Sequence, residues 1–167
     1  MCTSFTIGDQ SSGYVYGRTL EFTLPLRSSL VVAPKGLTFT GTDKAGNIGS
    51  GGLTWTGTHG AVYANALGVS AASIDGMNDA GLSAHLLYMP GGYCTYQPFK
   101  GDGSDLSEAD LIAYLLGTCS TIAEVKAAMQ KAGAEPTWVN AQNMASFMQA
   151  DTAQWKKVAD YARISLE

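Results

Sequence analysis

Charge is what this chain has least of. Only 14% of its 167 residues are charged, ten basic against fourteen acidic, for a net charge of −4. The basic residues form no cluster, so nucleic acid, which is gripped by grouped Lys and Arg, is not an expected partner. No uninterrupted apolar run approaches the roughly 20 residues that a membrane-spanning helix needs, and no membrane partner is expected. No basic-then-apolar segment opens the chain as a secretory signal would. The expected compartment is the cytoplasm, or the periplasm or exterior if a signal segment has been removed from a precursor. Cysteine is scarce as well: Cys2, Cys94 and Cys119. An odd and scattered set gives no disulfide framework. Together with His59 and His85 it contains no pair at metal-finger spacing, so no metal site is expected. Cys94 and Cys119 read as ordinary buried or half-buried thiols.

What is present is apolar. Residues of that kind make up 46% of the chain, which marks it as globular and long enough, as one domain over residues 1–167, to bury a real core. Residues 2–7 and 14–20 are rich in β-branched and aromatic types and flank the turn formers Gly8-Asp9-Gln10-Ser11-Ser12-Gly13, which predicts a β-hairpin. Short strands follow at Ser29–Ala33, Leu53–Thr56 and Gly60–Ala64, the last two around Gly57-Thr58-His59-Gly60. His59 in that turn reads as solvated, with a substrate-facing role as the rarer alternative. A further hairpin runs from Ser70–Asp75 through a Gly76–Gly81 turn to Leu82–Met89. Residues 41–52 and 91–105 are glycine-rich loops; the second carries Tyr93, Tyr96 and Phe99 and is a surface crossing or a wall for an apolar group. The period then changes. Ser107-Glu108-Ala109-Asp110 and Thr121-Ile122-Ala123-Glu124 are capping-box patterns that open two helices, with Gly117 and Gly133 as their stops. Both helices are expected on a sheet face.

The chemistry is expected at the start. With Met1 removed, Cys2 carries a thiol and a free α-amine on one carbon, a nucleophile with its base attached. The reference values of the two groups, about 8.5 and about 7.7–8.0, suit that exchange. If the hairpin turn centres near Gln10 and Ser11, Arg18 lies opposite Cys2 or Thr3, and a fixed cation there favours the thiolate. On the residues alone, a plain terminal strand cysteine and a solvated edge arginine remain open.

Met1-Cys2-Thr3, Gly17-Arg18-Thr19-Leu20-Glu21-Phe22, Val32-Ala33-Pro34-Lys35-Gly36, Asp75-Gly76-Met77-Asn78-Asp79-Ala80-Gly81-Leu82 and Leu87-Tyr88-Met89-Pro90 occur in an order and spacing that resemble the choloylglycine hydrolase and penicillin V acylase family over residues 1 to about 130. The resemblance implies an α+β fold, an N-terminal-nucleophile αββα sandwich in shortened form, with no cofactor and a small-molecule amide as partner. It implies Cys2 as nucleophile, Arg18 beside the thiol, Glu21 where the family usually has the aspartate that holds the α-amine, and Tyr88 at the substrate and oxyanion position. Residues 131–167 match weakly. Thr152–Asp160 is similar to a strand near the family's C-terminal end, and the family's middle is expected to be absent. Asn140 lies too close to the preceding helix to be assigned the family's oxyanion asparagine, and Arg163 has no motif around it. Without that asparagine and the second arginine, slow turnover is expected, and uncovered sheet edges favour a homo-oligomer. Three readings stand: a linear-amide hydrolase acting on penicillin V, conjugated bile salts or other N-acyl amines; an inactive relative that binds; and a small β-rich binding module.

Overall fold

The computed structural model describes residues 2–22, 24–43, 45, 47, 51–66, 68–87, 98–131 and 141–162. The chain forms two compact units, Met1–Ala134 and Glu135–Glu167. It is a mixed α and β protein with antiparallel sheets and, among the described residues, three helices.

The first unit opens with the predicted hairpin. Strands β1 (Ser4–Asp9) and β2 (Gly13–Arg18) pair antiparallel from Ser4↔Arg18 to Asp9↔Gly13. Asp9 organises the turn: its Oδ1 accepts from the backbone N–H groups of Ser11 and Ser12, both at 2.8 Å, and from both serine hydroxyls. These bonds, the Ser11 hydroxyl foremost, hold the Asp9 carboxyl far below its ordinary 3.8. Gly13 closes the loop at φ 81°, a left-handed conformation that glycine adopts without a Cβ clash. The turn therefore centres on Ser11, and Arg18 faces Ser4 rather than Cys2 or Thr3 as the sequence suggests.

The remaining strands are β3 (Leu30–Ala33), β4 (Thr38–Thr40), β5 (Thr54–Thr56), β6 (Ala61–Ala66), β7 (Val69–Asn78) and β8 (Ser83–His85). Four of them form one sheet in the order β3-β6-β7-β8, while β4 and β5 pair separately. The strands on either side of Gly57–Gly60 thus do not pair with each other. That linker is tied elsewhere: the amides of Thr58 and His59 both donate to the carbonyl of Gly117, at 2.7 and 3.1 Å.

The four-stranded sheet has two unlike faces. Ala33, Ala61 and Tyr63 are buried in the core with Trp55 and with helix α1 (Leu111–Thr118), which contributes Ile112, Ala113, Leu115 and Leu116. Leu116 is fully buried. A Cβ on Gly76 would lie 2.5 Å from Tyr63 Cβ and 2.8 Å from Leu116 Cδ1, so the close approach of helix and strand at this point depends on glycine. Leu30, Val32, Val62 and Met77 alternate out of this core and stay exposed.

The two capping patterns behave differently. Thr121–Glu124 is a complete capping box for α2 (Ile122–Lys131): the Glu124 amide donates to Thr121 Oγ1, and Glu124 Oε2 accepts from the amides of Ser120 and Thr121. At α1 the Asp110 carboxylate makes no cap. It accepts instead from the amide and hydroxyl of Thr42, and the Ala113 amide is satisfied by the Ser73 hydroxyl of β7 at 2.7 Å. Gly117 does not end α1 but lies inside its last turn, where its carbonyl serves the 58–59 linker. Gly133 lies outside the described residues.

The second unit contains α3 (Ala141–Ala162). Residues 152–160 are thus helical, not a strand. The segment 141–162 contains no glycine or proline and is rich in Ala, Gln and Lys, all favourable in helices, and Lys156 pairs with Asp160 one turn on at 3.1 Å. Among the described residues no helix is long and apolar enough to cross a membrane.

Candidate active site

Hydrogen bonding between the ends of the first hairpin continues past its strands. The Thr19 amide donates to the Thr3 carbonyl at 2.8 Å, and the Thr3 amide donates to Thr19 Oγ1 at 3.2 Å. Strand alternation puts Ser4 and Thr6 on one face of the ribbon, together with Tyr16 and Arg18, which lie opposite Thr6 and Ser4. Cys2 stands two residues before Ser4, the partner of Arg18; a regular ladder carried that far would make the two diagonal neighbours, about 7–8 Å apart. Cys2 itself is half-buried.

Arg18 and Tyr16 carry this face onto β7 and β8. Arg18 Nε donates to the Asp75 carboxylate, 2.7 Å from Oδ1 and 2.8 Å from Oδ2, and Nη1 donates to the Leu86 carbonyl at 2.8 Å. The arginine side chain is only 5% exposed. Asp75 is held from its other side by His85, with Nδ1 3.0 Å from Oδ1, and the imidazole stacks on Tyr16 at a centroid distance of 3.3 Å and 16°. An ionised carboxylate only accepts, so Nδ1 of His85 carries the hydrogen. Among the described residues, two atoms in this array are buried and have no hydrogen-bond partner, Arg18 Nη2 and His85 Nε2.

Residues 2–156 match the model of the linear amide C–N hydrolases, choloylglycine hydrolase family. The chain belongs to this family. Among solved structures it is similar to the penicillin V acylase of Agrobacterium tumefaciens, with 25% identity and a TM-score of 0.65; the match covers 83% of this chain and 40% of that one. The chain thus spans less than half the length of that acylase. No curated protein matches.

The residues singled out from sequence in this choloylglycine hydrolase family member fall as follows. Arg18 ends β2 opposite Ser4, and Cys2 lies two residues before the start of β1. Glu21 is exposed on the segment that leaves β2. Tyr88, Cys94, Asn140 and Arg163 lie outside the described residues. His59 is half-buried in its turn and faces Asp79, Nδ1 to Oδ1 at 3.0 Å. The Gly60 amide, followed by His59, holds the Asp79 carboxyl below its usual range. Cys119 is buried, and burial pushes its thiol up, which suits a packing role rather than attack. Among the described residues no group of three or more His, Cys, Asp or Glu side chains could hold a metal ion.

From sequence, Asp75 stands within a motif but has no role, His85 enters only as a candidate metal ligand, and Tyr16 only as a strand residue. The signal was available. Asp79-Ala80-Gly81 centres a turn on Ala80, and residues equidistant from that centre include Asp75 and His85, which do pair.

Proposed function

We propose that this chain is a cysteine N-terminal-nucleophile amidohydrolase that cleaves linear amides of small molecules, built on an αββα sandwich. The observation that carries the reading is Arg18 opposite Ser4, two residues from Cys2, with the guanidinium fixed by Asp75 and the Leu86 carbonyl. Family membership and the likeness to a penicillin V acylase support the reaction type.

The reaction follows from these groups. Removal of Met1 frees the Cys2 α-amine, which takes the thiol proton. The thiolate attacks the amide carbonyl carbon, and the negative charge that develops on oxygen is met by N–H donors. The resulting α-ammonium protonates the leaving nitrogen, the C–N bond breaks, and a thioester remains on Cys2. Water, deprotonated by the same amine, then attacks the thioester and returns the thiol. Glu21 holds the amine. Tyr88 contacts the acyl part, which favours flat aromatic acyl groups such as phenoxyacetyl over steroid acyls through ring packing worth about 0.5–1.5 kcal/mol.

Intact-mass measurement tests the central step. Incubation with penicillin V should give a phenoxyacetyl adduct that maps to Cys2 and is lost in Cys2→Ala. An adduct on Cys94 or Cys119, or one that survives Cys2→Ala, refutes the assignment.

A further inference from the structure

An arginine with a free choice of partners would satisfy its whole guanidinium in a buried site. Arg18 does not. Nε is committed to Asp75 and Nη1 to Leu86, and because the guanidinium is planar these two anchors fix where Nη2 stands. Nη2 is buried without a partner, an arrangement that loses hydration and gains nothing until an acceptor arrives. The anchors are themselves anchored. Asp75 Oδ1 is held by His85 Nδ1, and the imidazole cannot swing because Tyr16, two residues before Arg18 on the same hairpin face, stacks flat against it. The loop is closed: hairpin to carboxylate to imidazole and back to hairpin.

We propose that Asp75 and His85 are positioning residues that act through Arg18. They hold its guanidinium so that Nη2 is presented, unpaired, toward Cys2 and the oxygen of the group it attacks. This inference rests on Cys2 being the reacting group. It assigns work to two residues that a plain structural ion pair would not require, since a structural pair needs neither the histidine nor the vacancy.

The test reads the cation near the thiol without relying on turnover. The rate of Cys2 alkylation is measured at low salt with neutral iodoacetamide and with anionic iodoacetate, and the ratio is compared with that of a free cysteine peptide. A cation held about 7 Å away should favour the anionic reagent by about threefold to tenfold. The sign of the change in Asp75→Asn is decisive. If the carboxylate only offsets the charge of Arg18, its removal leaves more positive field and the ratio rises. If it positions Arg18, the guanidinium drifts and the ratio falls toward the peptide value. His85→Ala should lower the ratio too. His85→Asn, whose amide N–H can stand where Nδ1–H stood, should restore it, and the acylation rate with penicillin V should follow the same order. A rise or no change in Asp75→Asn, or His85→Asn no better than His85→Ala, overturns the proposal. Should Asp75→Asn fail to fold by circular dichroism, the two His85 variants decide alone. Wild-type protein that acylates at Cys2 with unchanged ratios in the variants leaves the hydrolase standing without this role. Ratios that fall as described in a protein that never acylates do the reverse.

Discussion

The hairpin β1–β2 and the α1-on-sheet layer belong to the same compact unit, yet they are held by different forces. The layer buries Tyr63, Leu115, Leu116 and Ile112 against one another. The hairpin buries little apolar surface of its own: all six residues of β1 are exposed, and so are Tyr14 and Val15. Among the described residues, its link to β7, β8 and Leu86 is one ion pair, one hydrogen bond to a backbone carbonyl and one ring stack. Apolar burial is proportional to area and indifferent to direction, so the layer can absorb small errors of angle. The polar link is directional. A region fastened that way is held less strongly but aimed more narrowly, which is what a reacting group needs.

Three measurements would break or sharpen this contrast. The largest effect is expected in the layer. Leu116→Ala removes a fully buried side chain and should lower global stability by about 2–5 kcal/mol, read as a shift of the urea midpoint with the slope unchanged. Next comes the link. Arg18→Met keeps the length but loses both the Asp75 and Leu86 bonds, and it should weaken hairpin docking by about 2 kcal/mol. The change should appear as faster hydrogen exchange in residues 4–9 and 13–18, with little change in the core. Equal loss in both regions would show that hairpin and layer open together. The smallest effect is electrostatic. The Ser120 amide, followed by the Ser120 hydroxyl and the Thr121 amide, holds Glu124 below its ordinary 4.5. A depressed carboxyl stabilises the folded state above its unfolded value, and the contribution is lost as pH falls through the lower folded value. Protection at the start of α2 should therefore decline only below about pH 4.5, and Glu124→Gln should flatten that acid limb. Unchanged acid sensitivity in the glutamine variant would remove the capping account.

Much of this contrast can be read in the sequence, though unevenly. The hairpins, the α1 and α2 positions and the second capping box follow from turn residues and periodicity, because those signals are local. The first hairpin is legible in kind but not in register, since Arg18 faces Ser4. Asp9 recruits both serines of its turn and lengthens it, and no propensity records that choice. The Ser107–Asp110 pattern failed for a tertiary reason: Thr42, distant in sequence, offers the Asp110 carboxylate a better pair of donors than the helix does. In the C-terminal segment family likeness points to a strand, while composition without glycine or proline favours the helix that forms. The array around Arg18 needed two hairpin registers at once, each off by nothing or the whole arrangement is lost. Tyr88, Asn140 and Arg163 stand outside the described residues.

One strand carries a consequence of its own. Along β7, Asp75 holds Arg18, and its immediate neighbour Gly76 is the point where Tyr63 and Leu116 close in from the opposite side. Adjacent residues of a strand share a rigid peptide unit, so β7 works as a short lever with the core on one arm and the guanidinium on the other. A Cβ at Gly76 would push this lever from the far side. Gly76→Ala should thus act on alkylation of Cys2 although the substitution lies in the packed layer, away from the proposed nucleophile. On the proposed function, mutational sensitivity then need not map onto distance from the thiol: the helix-facing side of β7 is mechanically tied to the candidate site.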